Sequence, residues 1–285
     1  MGAVRDRVLI LCKTYPSPSG KYSETSCVAG INARGELVRL FPVPFRLIRD
    51  EQQFKKWQWV SLQFNKARKD RRPESHAINV DAIECDGQPL TTDNNWEKRR
   101  AAIARAITFS DFDALELNRQ ANGNTLALLR PKRLVGLDIT PVKDAEWTKE
   151  ELEKLVGHQT QEGLFDQSEK RDIALLRKLP YDFHYRYICE HADGQDREYR
   201  HKIVDWEAGV LYWKCQRRYG DDWERPFRQK LEVEFAAKDL IFLMGTIHRF
   251  PDKWLIVSLI YPPRAQPAEK TPDMFEGLTQ PQRDL

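Results

Sequence analysis

Lys21, Glu24 and Cys27 place an ammonium, a carboxylate and a thiol within seven residues of one another. A covalent thiol mechanism needs those group types: a nucleophile, a proton acceptor for water, and a cation that favours developing negative charge. Cys27 is thus the candidate nucleophile, Glu24 the candidate base and Lys21 the candidate stabiliser. A free thiol has a pKa of about 8.5, so Cys27 needs a neighbouring cation to react as thiolate at neutral pH. On a straight strand Glu24 and Cys27 face opposite ways, so the pair requires a loop or bulge between them. The structural alternative is a polar loop beside a small, buried, unreactive cysteine.

Aromatic and basic residues suggest what such a site would hold. Tyr15, Tyr22 and Phe45 surround the stretch, and Trp57 and Trp59 share one face of the next expected strand. They form a candidate wall for a planar base, and equally a candidate barrel core. His248, beside Arg249 after an apolar run, is placed as a proton shuttle or phosphate contact. Lys66, Arg68, Lys69, Arg71 and Arg72 form one basic cluster; Lys98, Arg99, Arg100 and Arg105 form a second, and Lys214, Arg217 and Arg218 a third. On a chain of net charge +3, such patches suit phosphate contacts, and they suit solvated helix faces as well. Cys189, His191, His201 and Cys215 match no standard zinc spacing, so neither a metal nor a cofactor is expected. Asp205 and Glu207 flank Trp206 at an expected helix start, where carboxylates complement the helix dipole without any catalytic role.

These residues must be positioned by short strands. Residues 8–12, 27–31, 36–41 and 57–64 are rich in β-branched, aliphatic and aromatic types, and 77–85 is a further strand. Asn32-Ala33-Arg34-Gly35 reads as a hairpin turn. Residues 94–121 read as two helices, capped at Asn94 or Asn95 and at Ser110. Residues 126–130 and 133–139 are extended and expected to rejoin the first sheet. Thr148 with Glu151 is a capping box opening a helix to about residue 156.

Further on, 181–189 is a strand with alternating aromatics. Asp205 caps one helix, and Asp221 or Asp222 opens another through residue 235. Residues 240–247 and 254–261 are strongly apolar strands. The pattern predicts an α+β protein in four parts: an N-terminal β-rich, barrel-like region with a helical insertion (1–140), a connector (141–180), a C-terminal α+β region (181–262) and a disordered tail (263–285).

With 285 residues and 41% hydrophobic content, the chain can bury a sizeable core. No apolar run is long enough to span a bilayer, so no membrane partner is expected. Five scattered cysteines read as reduced thiols, and the charged N-terminus lacks a leader pattern. Both features predict a cytoplasmic protein.

Three stretches taken together resemble a known family. The first runs from Lys13-Thr14-Tyr15-Pro16 through residues 21–31 to Arg39-Leu40-Phe41-Pro42-Val43-Pro44-Phe45-Arg46. The second is Arg71-Arg72-Pro73-Glu74-Ser75, and the third is Asp205-Trp206-Glu207 leading to residues 242–248. They resemble the DpdC-type components of bacterial 7-deazaguanine DNA-modification systems. The resemblance implies conversion of 7-cyano-7-deazaguanine, already in DNA, to the 7-amido base, with DNA and other DNA-modification proteins as partners. The roles of Cys27, Glu24 and Lys21 come from matching that chemistry to these residues. A base read whole must leave the stack, so base flipping or a single-stranded substrate is expected. The rival expectation is a non-catalytic reader of nucleic acid or of a modified base, in which Cys27 belongs to the core.

Overall fold

The computed structural model describes residues 4–67, 70–161 and 174–264. The first half contains β1 (Val4–Lys13), β2 (Ser17–Ser19), β3 (Ser23–Asn32), β4 (Leu37–Val43), β5 (Trp59–Lys66), β6 (Ser75–Ile78) and β7 (Glu84–Asp86). Pairing runs β1-β3-β4-β6-β5 and returns to β1, which closes a five-stranded barrel; β4 and β6 are parallel and the other pairs antiparallel. This is the Greek-key order of an OB-type barrel. A small flap, β2, lies on β3, and β7 extends β5.

Val8, Leu9, Ile10 and Leu11 are all fully buried, because β1 has apolar neighbours on both faces. Val8 and Ile10 point into the barrel with Val28, Leu40, Val60 and Leu62. Leu9 and Leu11 point outward against Leu126, Leu128, Ile241, Leu243 and Val257 from the second half. Each such side chain contributes about 1.5–3 kcal/mol when fully buried.

The second half contains β8 (Thr108–Phe109), β9 (Leu126–Leu129), β10 (Arg133–Pro141), β11 (Tyr181–Glu190), β12 (Asp196–Ile203), β13 (Ile241–Ile247) and β14 (Phe250–Ile260). They form one sheet ordered β10-β11-β12-β14-β13-β9-β8. One face joins the barrel. The other packs against α4 (Trp206–Tyr219) and α5 (Glu224–Arg228), burying Phe183, Tyr185, Tyr187, Phe242 and Met244 against Tyr212, Trp223 and Phe227. The alternating aromatics of β11 thus face one way, and their hydroxyls are satisfied: Tyr185 donates to the Leu231 carbonyl at 2.7 Å, and Tyr187 meets His201 Nδ1 at 2.9 Å.

The α+β class and the barrel agree with the sequence reading; several details differ. β9 and β10 join the second sheet, not the first. Residues 196–203 form a strand although they are mostly polar, because one face of β12 lies at the surface. The helices in 94–121 are α1 (Asp93–Ile103) and α2 (Phe112–Asn122), the latter capped by Asp111 instead of Ser110. Residues 220–234 wind successively as 3-10, α and π turns instead of one helix. The Thr148–Glu151 capping box forms reciprocally at 2.9 and 3.2 Å and opens α3 (Lys149–Gln161). The expected tail lies almost wholly outside the described residues. No helix among the described residues is long and apolar enough to cross a membrane.

Asp205 fastens the halves. One carboxylate oxygen accepts from Glu207 N at 2.7 Å to cap α4, and the other accepts from Leu259 N of β14 at 3.0 Å. The same residue bridges to Thr14 after β1 and lies 3.8 Å from Lys56 Nζ. Asp205→Ala removes a helix cap and leaves a buried amide unpaired, which should destabilise the fold by about 3 kcal/mol. Glu207, half-exposed, should cost less than about 1 kcal/mol on replacement by alanine. Urea denaturation of both variants measures the difference.

Candidate functional site: a cleft at the barrel seam

Where the apolar seam ends, a cleft of about 1730 Å3 opens between the two halves. Its walls are the loop from β1 to β3, the outer face of β3 and β4, the loop from β5 to β6, and the β13–β14 hairpin. Alternation along β3 turns Thr25, Cys27 and Ala29 toward the cleft and sends Val28 into the barrel.

Glu24 does not share the cleft with Cys27. It is buried and paired with Arg46 at 3.2 Å, and burial pushes its carboxyl up while Arg46 pulls it back. The strand geometry therefore separates the expected base from the expected nucleophile. Lys21 lies on the cleft rim with its ammonium 4.5 Å from the centre of the Tyr22 ring, and Tyr22 itself is not part of the lining. Tyr15 does line the cleft. Its hydroxyl accepts from Trp213 Nε1 at 2.9 Å and donates to the Arg177 carbonyl at 2.8 Å. Gly209 permits this approach, since a Cβ there would collide with the Tyr15 ring.

The other expected aromatic wall is elsewhere. Phe45 packs at the barrel end against Phe54 and Trp206. Trp57 precedes β5 in a left-handed turn (φ 67°) and packs edge-to-face on Trp96, so it does not share a strand face with Trp59. Trp59 lies under the Arg7 guanidinium. Both tryptophans are outside the lining.

Of the basic residues, Lys66 and Arg72 border the cleft and Arg71 is exposed on the same loop; Arg68 and Lys69 lie outside the described residues. Arg99 and Arg100 are elsewhere: Arg99 stacks over Trp57 and Trp96, and Arg100 bonds Asp239 and the Asn95 and Pro263 carbonyls. Those contacts are internal. His248 lines the cleft, half-exposed and 3.8 Å from Asp70.

Residues the sequence reading did not assign complete the floor. Arg39 is 2% exposed; its guanidinium donates to the Thr125 carbonyl at 2.9 Å and Thr125 Oγ1 at 3.2 Å, with the Glu74 carboxylate at 3.7 Å. Glu74 also accepts from Thr125 N at 2.9 Å and from its hydroxyl. Asp70 and Arg72 form a two-point pair at 2.9 and 2.6 Å, and Arg72 reaches the Thr246 carbonyl at 2.6 Å. Burial would raise the Asp70 carboxyl, but Arg72 outweighs it and holds the group far below the usual carboxylate range. Glu74 Oε2 and Thr246 Oγ1 are buried with no protein partner. A charged residue between Val38 and Leu40 in an apolar strand was the available signal for Arg39.

Cys27 feels opposing influences. Burial pushes its thiol up; Arg39 and Arg72 draw it down without cancelling that rise. The group is therefore a thiol at neutral pH, held among arginines already committed to carboxylates and carbonyls.

The four Cys and His residues weighed for zinc do not converge. Cys189 and Cys215 are in the core, and His201 pairs with Tyr187. His191 instead approaches Asp111 and Asp113, the one metal-ligand grouping among the described residues. Arg197 at 2.8 Å and Tyr199 at 2.9 Å already satisfy Asp113.

Residues 108–278 match the family described as domain of unknown function DUF8757, and residues 4–105 match the one described as domain of unknown function DUF8758. The first match covers more than half of the chain, which belongs to the DUF8757 family. The two matches divide the chain between α1 and β8, where the barrel region gives way to the second sheet. No curated protein matches the chain.

The Cys27 environment predicts its reactivity. Iodoacetamide labelling of Cys27, followed by peptide mass spectrometry, should rise about tenfold per pH unit and continue rising beyond pH 9. A plateau below pH 8 would mean that the two arginines outweigh burial.

Proposed function

We propose that the protein binds DNA through this cleft and receives an unstacked base against its floor. The observation that carries the reading is the position of the cleft. OB-type barrels bind oligonucleotides and oligosaccharides on the face of their second and third strands, flanked by the first-to-second and fourth-to-fifth strand loops. Here those elements are β3, β4, the Lys21-bearing loop and the basic loop after β5. The exposed Lys21 and Arg71 favour a phosphate backbone over a neutral sugar chain, while Lys66 and Arg72 are held by carbonyls and by Asp70. Phe41, 44% exposed on β4, and Tyr15 supply faces for base stacking.

A second reading adds chemistry, because Cys27 lines that same floor. It follows the resemblance to DpdC-type components, with the nitrile of 7-cyano-7-deazaguanine as the reacting group. The sulfur adds to the nitrile carbon and the thiol proton goes to nitrogen, giving a thioimidate. Water adds to that carbon, the C–S bond breaks, the sulfur regains a proton, and the amide remains. Glu24 has no place in this scheme, since it faces away with Arg46.

Titrating DNA binding against salt tests the first reading. Each phosphate contact adds about 0.9 to the log–log slope on duplex DNA, so Lys21→Ala and Arg71→Ala should each lower the slope by about one. Binding that ignores salt, or slopes unchanged in both variants, defeats it. Nucleoside mass spectrometry of DNA carrying 7-cyano-7-deazaguanine tests the second. The wild type should add one water to the base, and Cys27→Ala should bind the DNA without changing it. An unchanged base with bound wild-type protein leaves the reader alone standing.

A further inference from the structure

β1 carries a second site on its opposite face. Cys12 and Thr14 line the DNA cleft, whereas Lys13, between them, lines a separate pocket of about 460 Å3. Five lysines, Lys13, Lys55, Lys56, Lys214 and Lys230, border it against two carboxylates, Asp205 and Glu207. Those carboxylates are engaged with Lys56, which reaches Glu207 and the Leu259 carbonyl at 2.9 Å each. Lys230 pairs with Glu234. The Lys13 ammonium sits 3.5 Å over the Phe45 ring and donates to the Phe54 carbonyl at 3.3 Å. An ammonium has three N–H donors, so Lys13 retains capacity for a ligand. Lys55 and Lys214 are exposed at the mouth.

The remaining lining is flat and apolar. Trp206, Phe235 and Tyr261 contribute rings, the last two stacked at 4.1 Å, alongside Leu211, Leu231 and Leu259. The lining contains no arginine. Lysine ammoniums bind phosphate as point charges, each with three N–H donors to offer. The volume falls within the range of small-molecule sites.

We propose that this pocket binds a mononucleotide, its phosphate held by Lys13, Lys55 and Lys214 and its base lying against the aromatic rings. The site is separate from the DNA cleft and stands whether or not the cleft reading does. Burial lowers the Lys13 ammonium to about 8, so part of it is free amine under mildly alkaline conditions. That makes Lys13 chemically addressable.

The test uses the full chain with AMP, adenosine and inorganic phosphate in isothermal titration, and pyridoxal phosphate with borohydride to label amines. AMP should bind saturably, and adenosine at least tenfold more weakly. The double charge reversal Lys55→Glu/Lys214→Glu should weaken AMP by more than about tenfold, equivalent to about 1.4 kcal/mol, while leaving oligonucleotide affinity unchanged. Pyridoxal phosphate should label Lys13 at pH 8, and AMP should block the labelling. No saturable AMP binding, binding equal in the double variant, or Lys13 labelling that AMP does not reduce would each overturn the proposal. Displacement of AMP by an oligonucleotide that leaves Lys13 unprotected would also overturn it, assigning the nucleotide to the cleft.

Discussion

Everything in this molecule depends on strands that are apolar on both faces. β1, β3, β9 and β13 each send alternate residues into two different cores: Val8 and Ile10 against Leu9 and Leu11, Phe242 and Met244 against Ile241 and Leu243. The layer between the barrel and the second sheet is therefore a shared core. Neither half could lose its partner without exposing Leu9, Leu11, Leu128, Ile241 and Leu243, all buried to within a few per cent. An apolar patch of that kind on a free domain invites association or aggregation. The two halves, matched as separate families, are held as one body for this reason.

Along the cleft the shared core gives way to buried charge. Arg39 of the barrel reaches Thr125, just before β9, and Arg72 of the barrel reaches Thr246 of β13. A buried guanidinium is tolerable only when its donors are met, and here carbonyls, Glu74 and Asp70 meet them. Replacing one member strands the others in a dry setting, so these groups fix the width and register of the cleft. They also limit what it can hold. Cations already paired internally orient a ligand more than they neutralise it, and on the proposed reading the phosphate contacts would fall to the exposed Lys21 and Arg71 at the edge.

The sequence made the barrel legible because short β-rich runs alternate with turn signals in its first ninety residues. It did not reveal the partner of β9 and β10. An apolar strand announces burial on two faces without naming what covers it. β12 escaped notice because its half-exposed, charged sequence has no period to detect. At the site, Cys27 and the basic loop were visible as residue types close in sequence. Arg39, Glu74, Thr125 and Thr246 come together through pairing between distant segments, and no local pattern carries that. The separation of Glu24 from Cys27 followed from strand alternation alone. The displacement of Trp57 did not, since it depends on a left-handed backbone that a bulky residue rarely adopts.

The chemistry proposed for the cleft has to suit a thiol that burial keeps protonated. A thiolate-dependent displacement would need the arginines to outweigh desolvation, and they do not. On the enzyme reading, addition to a nitrile also proceeds through the minor thiolate form, and the product nitrogen takes up the proton that the sulfur gives up. A neutral, planar base also displaces water from the floor without bringing charge against Asp70 and Glu74. A phosphate in the same place would raise the thiol further and oppose both carboxylates. On the proposed reading, the floor therefore selects the uncharged part of a nucleotide, while its charged backbone stays at the rim with Lys21 and Arg71.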